Sequence, residues 1–119
     1  MKNKNAYDIS QASLERFVKK FNIVAYDLGI KMIPNDYESY DTDGYFVDLK
    51  TGKKISFDWT YRNRWYKTAG FPFKTLREWR RKLDKKGLEV FIHCSKDERA
   101  VCVAFREDYD KVKAQILGL

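Results

Sequence analysis

Two aspartates stand at positions from which a β-hairpin would bring their carboxylates together. Residues 43–50 and 53–61 alternate apolar and polar side chains around a short Gly-containing loop, which predicts a hairpin. With a two-residue Thr-Gly tip, Asp43 faces Thr60, and Asp58 is its diagonal neighbour on the same face, about 7–8 Å away. Mg²⁺ prefers one or two carboxylates and several waters, so this spacing predicts a metal site at Asp43 and Asp58.

The opposite face of the same hairpin is apolar. Phe46 is expected to face Phe57, and Ile55, Trp59 and Tyr61 continue that side of the second strand. Such a face is typical of a strand that packs on a core, which leaves the aspartates on the other side. The structural alternative for the acids is that Asp43 simply begins a strand.

The positive charge of the chain is concentrated in one segment. The net charge is +7, and residues 62–86 hold ten Lys or Arg against two acids, whereas residues 35–48 hold five acids and no base. A basic block beside an acidic pocket suits a polyanion that meets a metal site, although a solvated helix face is the alternative. The expected phosphate contacts are Arg62, Arg64, Lys67, Arg77, Arg80 and Arg81.

Aromatic, histidine and cysteine side chains add less specific signals. Trp65 lies inside the basic segment, where its ring either stacks on bases or anchors the loop in the core. His93, the one histidine, falls in an apolar strand and is expected to be structural. Cys94 and Cys102 have opposite parity about a predicted turn, so no disulfide is expected.

The elements that position these residues follow from periodicity and capping. Leu14, Phe17, Val18, Phe21, Val24, Ala25 and Leu28 form one helical stripe that ends at Gly29, with Ser10 or Ser13 as the N-cap. A first strand is expected at 30–33, and the hairpin follows. Thr75 with Glu78 predicts a second helix, residues 88–95 and 100–105 predict two strands, and a last helix is expected from Glu107.

This order predicts a single α/β domain over residues 1–119, with residues 1–9 as a flexible tail. The elements run α-β-β-β-α-β-β-α, which implies a mixed central sheet with helices on its faces. No stretch of 18 apolar residues occurs, so no membrane span is expected. The N-terminus does not read as a signal peptide, and a cytoplasmic protein is expected.

The element order and a few residues resemble the PD-(D/E)XK nuclease superfamily, with its three-layer restriction-endonuclease-like core. Small Holliday-junction resolvases are similar in size, and their first helix carries a Glu beside an Arg, as Glu15 and Arg16 do here. The resemblance implies that Glu15 is the helix acid and that Asp43 and Asp58 are the strand acids. It also implies a Mg²⁺ cofactor, structured DNA as substrate and a homodimer, and a phage or mobile-element origin would suit it.

The superfamily's lysine falls two residues after the third acid, where this chain has Thr60. In the family this lysine is thought to position the attacking water and offset transition-state charge. Lys74 is the expected substitute, whereas Lys54 lies about 13 Å from Asp58 along the strand. A second acid-x-Lys match, Asp48-Leu49-Lys50 with Asp36 upstream, borders the turn and ranks lower.

Together these features predict a nucleic-acid-binding protein, with DNA preferred over RNA, that hydrolyses phosphodiesters with Mg²⁺. Two alternatives remain open: an inactive binding or regulatory module on the same fold, and a basic domain that binds an acidic protein.

Overall fold

The protein combines a long helix with a five-stranded mixed sheet. The structure is a computed structural model that describes residues 6–35, 42–62, 65 and 87–110. Helix α1 (Ala6–Ala25) is followed by a 3-10 turn (Tyr26–Leu28), and residues 106–110 are helical (α2). The strands are β1 (Ile30–Pro34), β2 (Gly44–Asp48), β3 (Lys54–Arg62), β4 (Leu88–Ser95) and β5 (Val101–Phe105).

The strands lie side by side in chain order. β1, β2 and β3 form an antiparallel meander, β4 runs parallel to β3, and β5 is antiparallel to β4. A parallel pair requires a crossover connection, and this one spans residues 63–86, of which only Trp65 is described. The α/β class with a mixed sheet is therefore confirmed, whereas the second predicted helix lies outside the described residues.

Helix α1 begins earlier than its predicted caps. Residues 6–9, expected in a flexible tail, already belong to the helix, and Ser10 and Ser13 lie inside it. The Ser13 hydroxyl donates to the Ser10 carbonyl at 2.6 Å and accepts the Trp59 indole N–H at 2.9 Å. Ser13 thus serves as a buried link between α1 and β3 rather than as an N-cap.

The helix covers one face of the sheet with an apolar stripe. Leu14, Val18 and Ala25 are buried, and Phe17 and Phe21 pack against the same core. Val24 and Leu28 are exposed at 77% and 73%, contrary to the predicted stripe. Val24 lies at the edge of the stripe, and Leu28 follows the end of α1 in the 3-10 turn. The buried core consists of Leu14, Val18, Met32, Phe57, Trp59, Val90, Ile92 and Cys94.

The hairpin register differs from the prediction by two residues. Phe46 pairs with Ile55, and Phe57 pairs with Gly44. The reason is the turn: the Asp48 carbonyl accepts the Gly52 N–H, and the Asp48 N–H donates to the Lys53 carbonyl, which closes a four-residue loop instead of a two-residue one. A shift of two preserves the faces, so the prediction of which side chains share a face holds.

The two cysteines point to opposite faces, as expected. Cys94 pairs with Val101, whereas Cys102 pairs with His93 on the neighbouring position, and no disulfide joins them. Burial, followed by the nearby Glu98 and Asp97 charges, raises the pKa of the Cys94 thiol to about 12. Among the described residues, no helix is both long and apolar enough to cross a membrane.

Candidate functional site

The sheet face opposite α1 carries a row of polar side chains. Along β3, Phe57 and Trp59 point into the core under α1, so Asp58 and Thr60 point to the other side. Parallel pairing adds β4 to the row, because Thr60 pairs with His93. We call the five residues Asp58, Thr60, Arg62, His93 and Ser95 the polar face; Phe91, the strand partner of Asp58, lies on the same side and is fully buried. Asp58, His93 and Ser95 are buried.

Asp43 lies directly beside Asp58 at the start of β2. The Asp43 N–H donates to the Phe57 carbonyl at 3.0 Å, and the Asp43 carboxylate accepts the Trp59 N–H at 2.6 Å. Asp43 therefore bonds to both chain neighbours of Asp58. Standard backbone dimensions then place the bonded Asp43 oxygen within about 5 Å of the Asp58 Cα. The Asp43 carboxylate thus lies next to the backbone at Asp58, and the register of β2 against β3 excludes the predicted pairing of Asp43 with Thr60.

The Asp43 carboxylate also has a structural role. It accepts a backbone N–H of β3 at the point where β2 no longer provides a carbonyl, and so extends the ladder beyond the last paired residue, Gly44. Thr42 supports the same junction, because its buried hydroxyl donates to the Phe57 carbonyl at 2.7 Å.

Asp58 is 7% exposed, and the Thr60 hydroxyl donates to its carboxylate at 3.3 Å. Burying a carboxylate is costly unless its charge is compensated by hydrogen bonds, an opposite charge or a metal ion. The Thr60 hydroxyl provides one such bond from the next position on the same face. Thr60, which stands where the resemblance would place a lysine, therefore bonds directly to Asp58.

A guanidinium lies next to the Thr60 position. Arg62 Nε donates to His93 Nδ1 at 2.9 Å, and His93 is the strand partner of Thr60. Because Nδ1 accepts, the ring carries its proton on Nε2. His93 is fully buried and holds Arg62 back along the sheet, toward Thr60. Sequence reasoning missed this pair, because the register of β4 against β3 depends on a crossover and on a bulge between Ser56 and Phe57.

Other expected site residues are placed apart from the aspartates or are not described. Glu15 is exposed on α1, which packs on the other face of the sheet, and no described contact joins it to Asp43 or Asp58. Its neighbour Arg16 instead forms a bidentate ion pair with Glu98, with N–O distances of 2.7 and 3.0 Å. The residues outside the described part are Asp36, Arg64, Lys67, Lys74, Arg77, Arg80 and Arg81.

Trp65 is described, and its position favours the role of a loop anchor. Its side chain is 5% exposed. Its backbone N–H donates to the Arg62 carbonyl at 3.3 Å, and its carbonyl accepts the Lys96 N–H at 2.7 Å. These bonds fix the chain after β3 against the β4–β5 turn, which leaves little of the ring for stacking on a base.

The second acid-x-Lys match has a structural explanation. The Asp48 carboxylate accepts the N–H groups of Lys50, at 2.9 Å, and Thr51, at 3.4 Å. These bonds lower the pKa of Asp48. Asp48 is thus the residue that shapes the hairpin turn.

The donor set of the aspartate pair fits Mg²⁺ better than a transition metal. In the described part of the chain, no three His, Cys, Asp or Glu side chains converge into a cluster that could hold a metal ion. Mg²⁺ does not require such a cage, because it keeps several waters and binds through one or two carboxylates. Asp43 and Asp58 are the residues that would hold it.

Comparisons of the chain with protein-family models, curated proteins and solved structures return no match. Its function is therefore inferred from the chemistry of the aspartate pair and its surroundings.

Proposed function

We propose that the protein binds structured DNA and hydrolyses phosphodiesters with Mg²⁺ held by Asp43 and Asp58. The observation that carries this proposal is the direct apposition of the two aspartates, since Asp43 bonds to the backbone of both neighbours of Asp58. When bound, Mg²⁺ makes water nucleophilic and neutralises charge on phosphoryl oxygens. The protein's part is to fix both carboxylates on the sheet.

The order of elements gives further support. The described helix, three-stranded meander and fourth strand parallel to the third are compatible with the order expected from the resemblance to PD-(D/E)XK nucleases. This support is at the level of element order, because the crossover segment lies outside the described residues. The basic block at residues 62–86 begins at the last residue of β3 in the sequence, and its positive charge would attract phosphates. DNA as the preferred nucleic acid and a homodimer belong to the same proposal by resemblance.

Charge at the reacting phosphate would come from Arg62 in this proposal. Thr60 carries no charge, but the Arg62 guanidinium is held against His93, which pairs with Thr60. A guanidinium presents several donors in a fixed plane, which matches phosphate oxygens. Lys74 remains the other proposed source of charge and lies outside the described residues.

A second candidate function is a binding module without hydrolysis. The observation that favours it is the chemistry of the acids themselves: Asp43 completes a strand ladder and Asp58 accepts the Thr60 hydroxyl, so both have structural partners. In this case the same surface would bind nucleic acid, or an acidic protein, and the aspartates would serve the fold.

The two functions are separated by a cleavage assay on branched, double-stranded and single-stranded DNA with Mg²⁺, Mn²⁺ or EDTA. The variants are Asp58→Asn and Asp43→Asn, and the matched control is Asp27→Asn, an exposed aspartate in the 3-10 turn. We expect metal-dependent cleavage that falls at least a hundredfold in both site variants and is unchanged in the control. Melting curves check that each variant is folded.

Each alternative result has a defined meaning. Cleavage that survives Asp58→Asn places the metal site elsewhere. Absence of cleavage together with salt-sensitive DNA binding selects the binding module. Absence of DNA and RNA binding at low salt rejects the nucleic-acid function altogether.

A further inference from the structure

The meander brings two lysines from distant parts of the sequence onto the polar side of the sheet. Lys31 of β1 pairs with Val47 of β2, and Val47 pairs with Lys54 of β3. Directly paired residues point to the same face, and here it is the face of Asp58, because Lys54 has the same parity on β3. Both lysines are exposed, and their backbones lie about 10 Å apart, two strand spacings.

Tyr45 lies on the same face and contacts one of the two lysines. It is the next residue on this face of β2 after Val47, and it is half-buried. The Lys54 ammonium lies 5.7 Å from the centroid of its ring. The attraction between cation and ring restrains the lysine, so less conformational entropy is lost when the ammonium contacts a ligand.

The adjoining turn adds charge of the same sign. Lys50 and Lys53 are exposed in the β2–β3 turn. The acid at the start of this turn, Asp48, is exposed, and its carboxylate is bonded to the turn's own N–H groups. Lys31, Lys54 and Tyr45 thus share the face of Asp58, and Lys50 and Lys53 lie in the exposed turn beside Lys54. We call the set of Lys31, Tyr45, Lys50, Lys53 and Lys54 the hairpin lysine surface.

β3 connects this surface to the aspartate pair. Lys54 and Asp58 lie on one face of the strand, four residues and about 13 Å apart. This separation exceeds the Debye length of about 8 Å at physiological salt, so salt weakens the effect of the carboxylates on the exposed lysines. A phosphate group can therefore bind at these lysines even though the aspartates, farther along β3, carry negative charge.

We propose that the hairpin lysine surface binds the phosphate backbone of the nucleic acid on the side of the aspartate pair that faces the β2–β3 turn. The inference rests on the proposed function, since it states where the strand continues beyond the pair. It assigns phosphate contacts to lysines that lie outside the basic segment. Nucleic acid is the proposed partner because the surface and the aspartate pair lie along one strand and on one face. A linear polyanion can contact both at the same time.

The test is DNA binding, measured by fluorescence anisotropy over a range of salt concentrations. The variant Lys31→Gln/Lys54→Gln is compared with Lys19→Gln/Lys20→Gln, which removes the same charge from exposed positions of α1 on the other side of the sheet. Each lost phosphate contact lowers the slope of log affinity against log salt by about 0.7–0.9. We expect a decrease of about 1.5 in the hairpin variant and no change in the helix variant.

The outcomes separate this inference from the proposed function. If the parent binds DNA and the hairpin variant keeps the parent's slope, the inference is overturned and the proposed function stands. If the parent binds no nucleic acid, both fall. Binding of labelled polyglutamate gives the last comparison: a hairpin variant that loses polyglutamate as strongly as DNA would assign the surface to an acidic protein instead.

Discussion

At the residue scale, Asp43 has two roles: its carboxylate accepts a structural hydrogen bond, and we propose that it holds a cation together with Asp58. Substitutions can separate these two roles. Its carboxylate accepts the Trp59 N–H at 2.6 Å, and a hydrogen bond to a charged group contributes about 1.5–3 kcal/mol. An asparagine oxygen still accepts this bond but carries no charge for a cation. The aspartate's two roles therefore respond differently to Asn and to Ala.

We predict that the free energy of unfolding of Asp43→Asn stays within about 1 kcal/mol of the parent's. That of Asp43→Ala should fall by about 1.5–3 kcal/mol, because the Trp59 N–H is left without its acceptor. Urea denaturation measures both. In the parent, saturating Mg²⁺ should raise the midpoint, since a ligand that binds only the folded state stabilises it. Neither variant should show that rise. A Mg²⁺ response in Asp43→Asn equal to that of the parent would contradict a role of this carboxylate in metal binding.

The sequence was sufficient to predict which side chains share a face, but not which residues face one another. Parity is local, because side chains alternate along any strand, and it placed Asp43 and Asp58 together. Register depends on the turn, and here Asp48 closes a four-residue loop through its own backbone and side chain. The Arg62–His93 contact depends on a parallel pairing across a long connection, for which the sequence holds no local signal.

At the element scale, the outer edge of β1 is blocked by a single side chain of α1. The pairs Gly29–Leu49 and Asn35–Asp43 are hydrogen-bonded, so alternation turns the N–H and C=O of Met32 away from β2. The Asn22 amide binds both: its oxygen accepts the Met32 N–H at 2.7 Å, and its nitrogen donates to the Met32 carbonyl at 3.0 Å. Asn22 thus replaces a neighbouring strand at the centre of this edge.

We predict that Asn22→Ala destabilises the protein by about 2 kcal/mol, because two part-buried hydrogen bonds of about 1 kcal/mol each are lost. It should also promote self-association, since an unblocked strand edge can pair with another chain. Urea denaturation and light scattering measure the two effects. Lys20→Ala, an exposed change on the same helix, is the control and should alter neither. A stable, monodisperse Asn22→Ala protein would show that β1 needs no such block.

At the scale of the whole molecule, stability should be greatest where the two central strands pair. β3 and β4 each have neighbours on both sides, and the middle of β3 and nearly all of β4 are buried. β1 and β5 lie at the edges of the sheet, and each contains several exposed residues. In β5, Val103 and Phe105 are about half exposed. The aspartate pair and the polar face are thus built on the most protected part of the sheet.

This arrangement predicts the order of amide hydrogen exchange in the native protein. Amides of Trp59, Phe91 and Ile92 should exchange only through global unfolding, whereas those on the outer edges of β1 and β5 should exchange through smaller openings with lower free energies. Exchange measured by NMR at several low urea concentrations distinguishes the two, because only global openings depend steeply on denaturant. Since Asp43 binds the Trp59 N–H, Asp43→Ala should release the Trp59 amide selectively while Phe91 and Ile92 keep the global rate of that variant. Equal loss of protection at all three positions would mean that the aspartate supports the whole sheet rather than the junction at which the site is built.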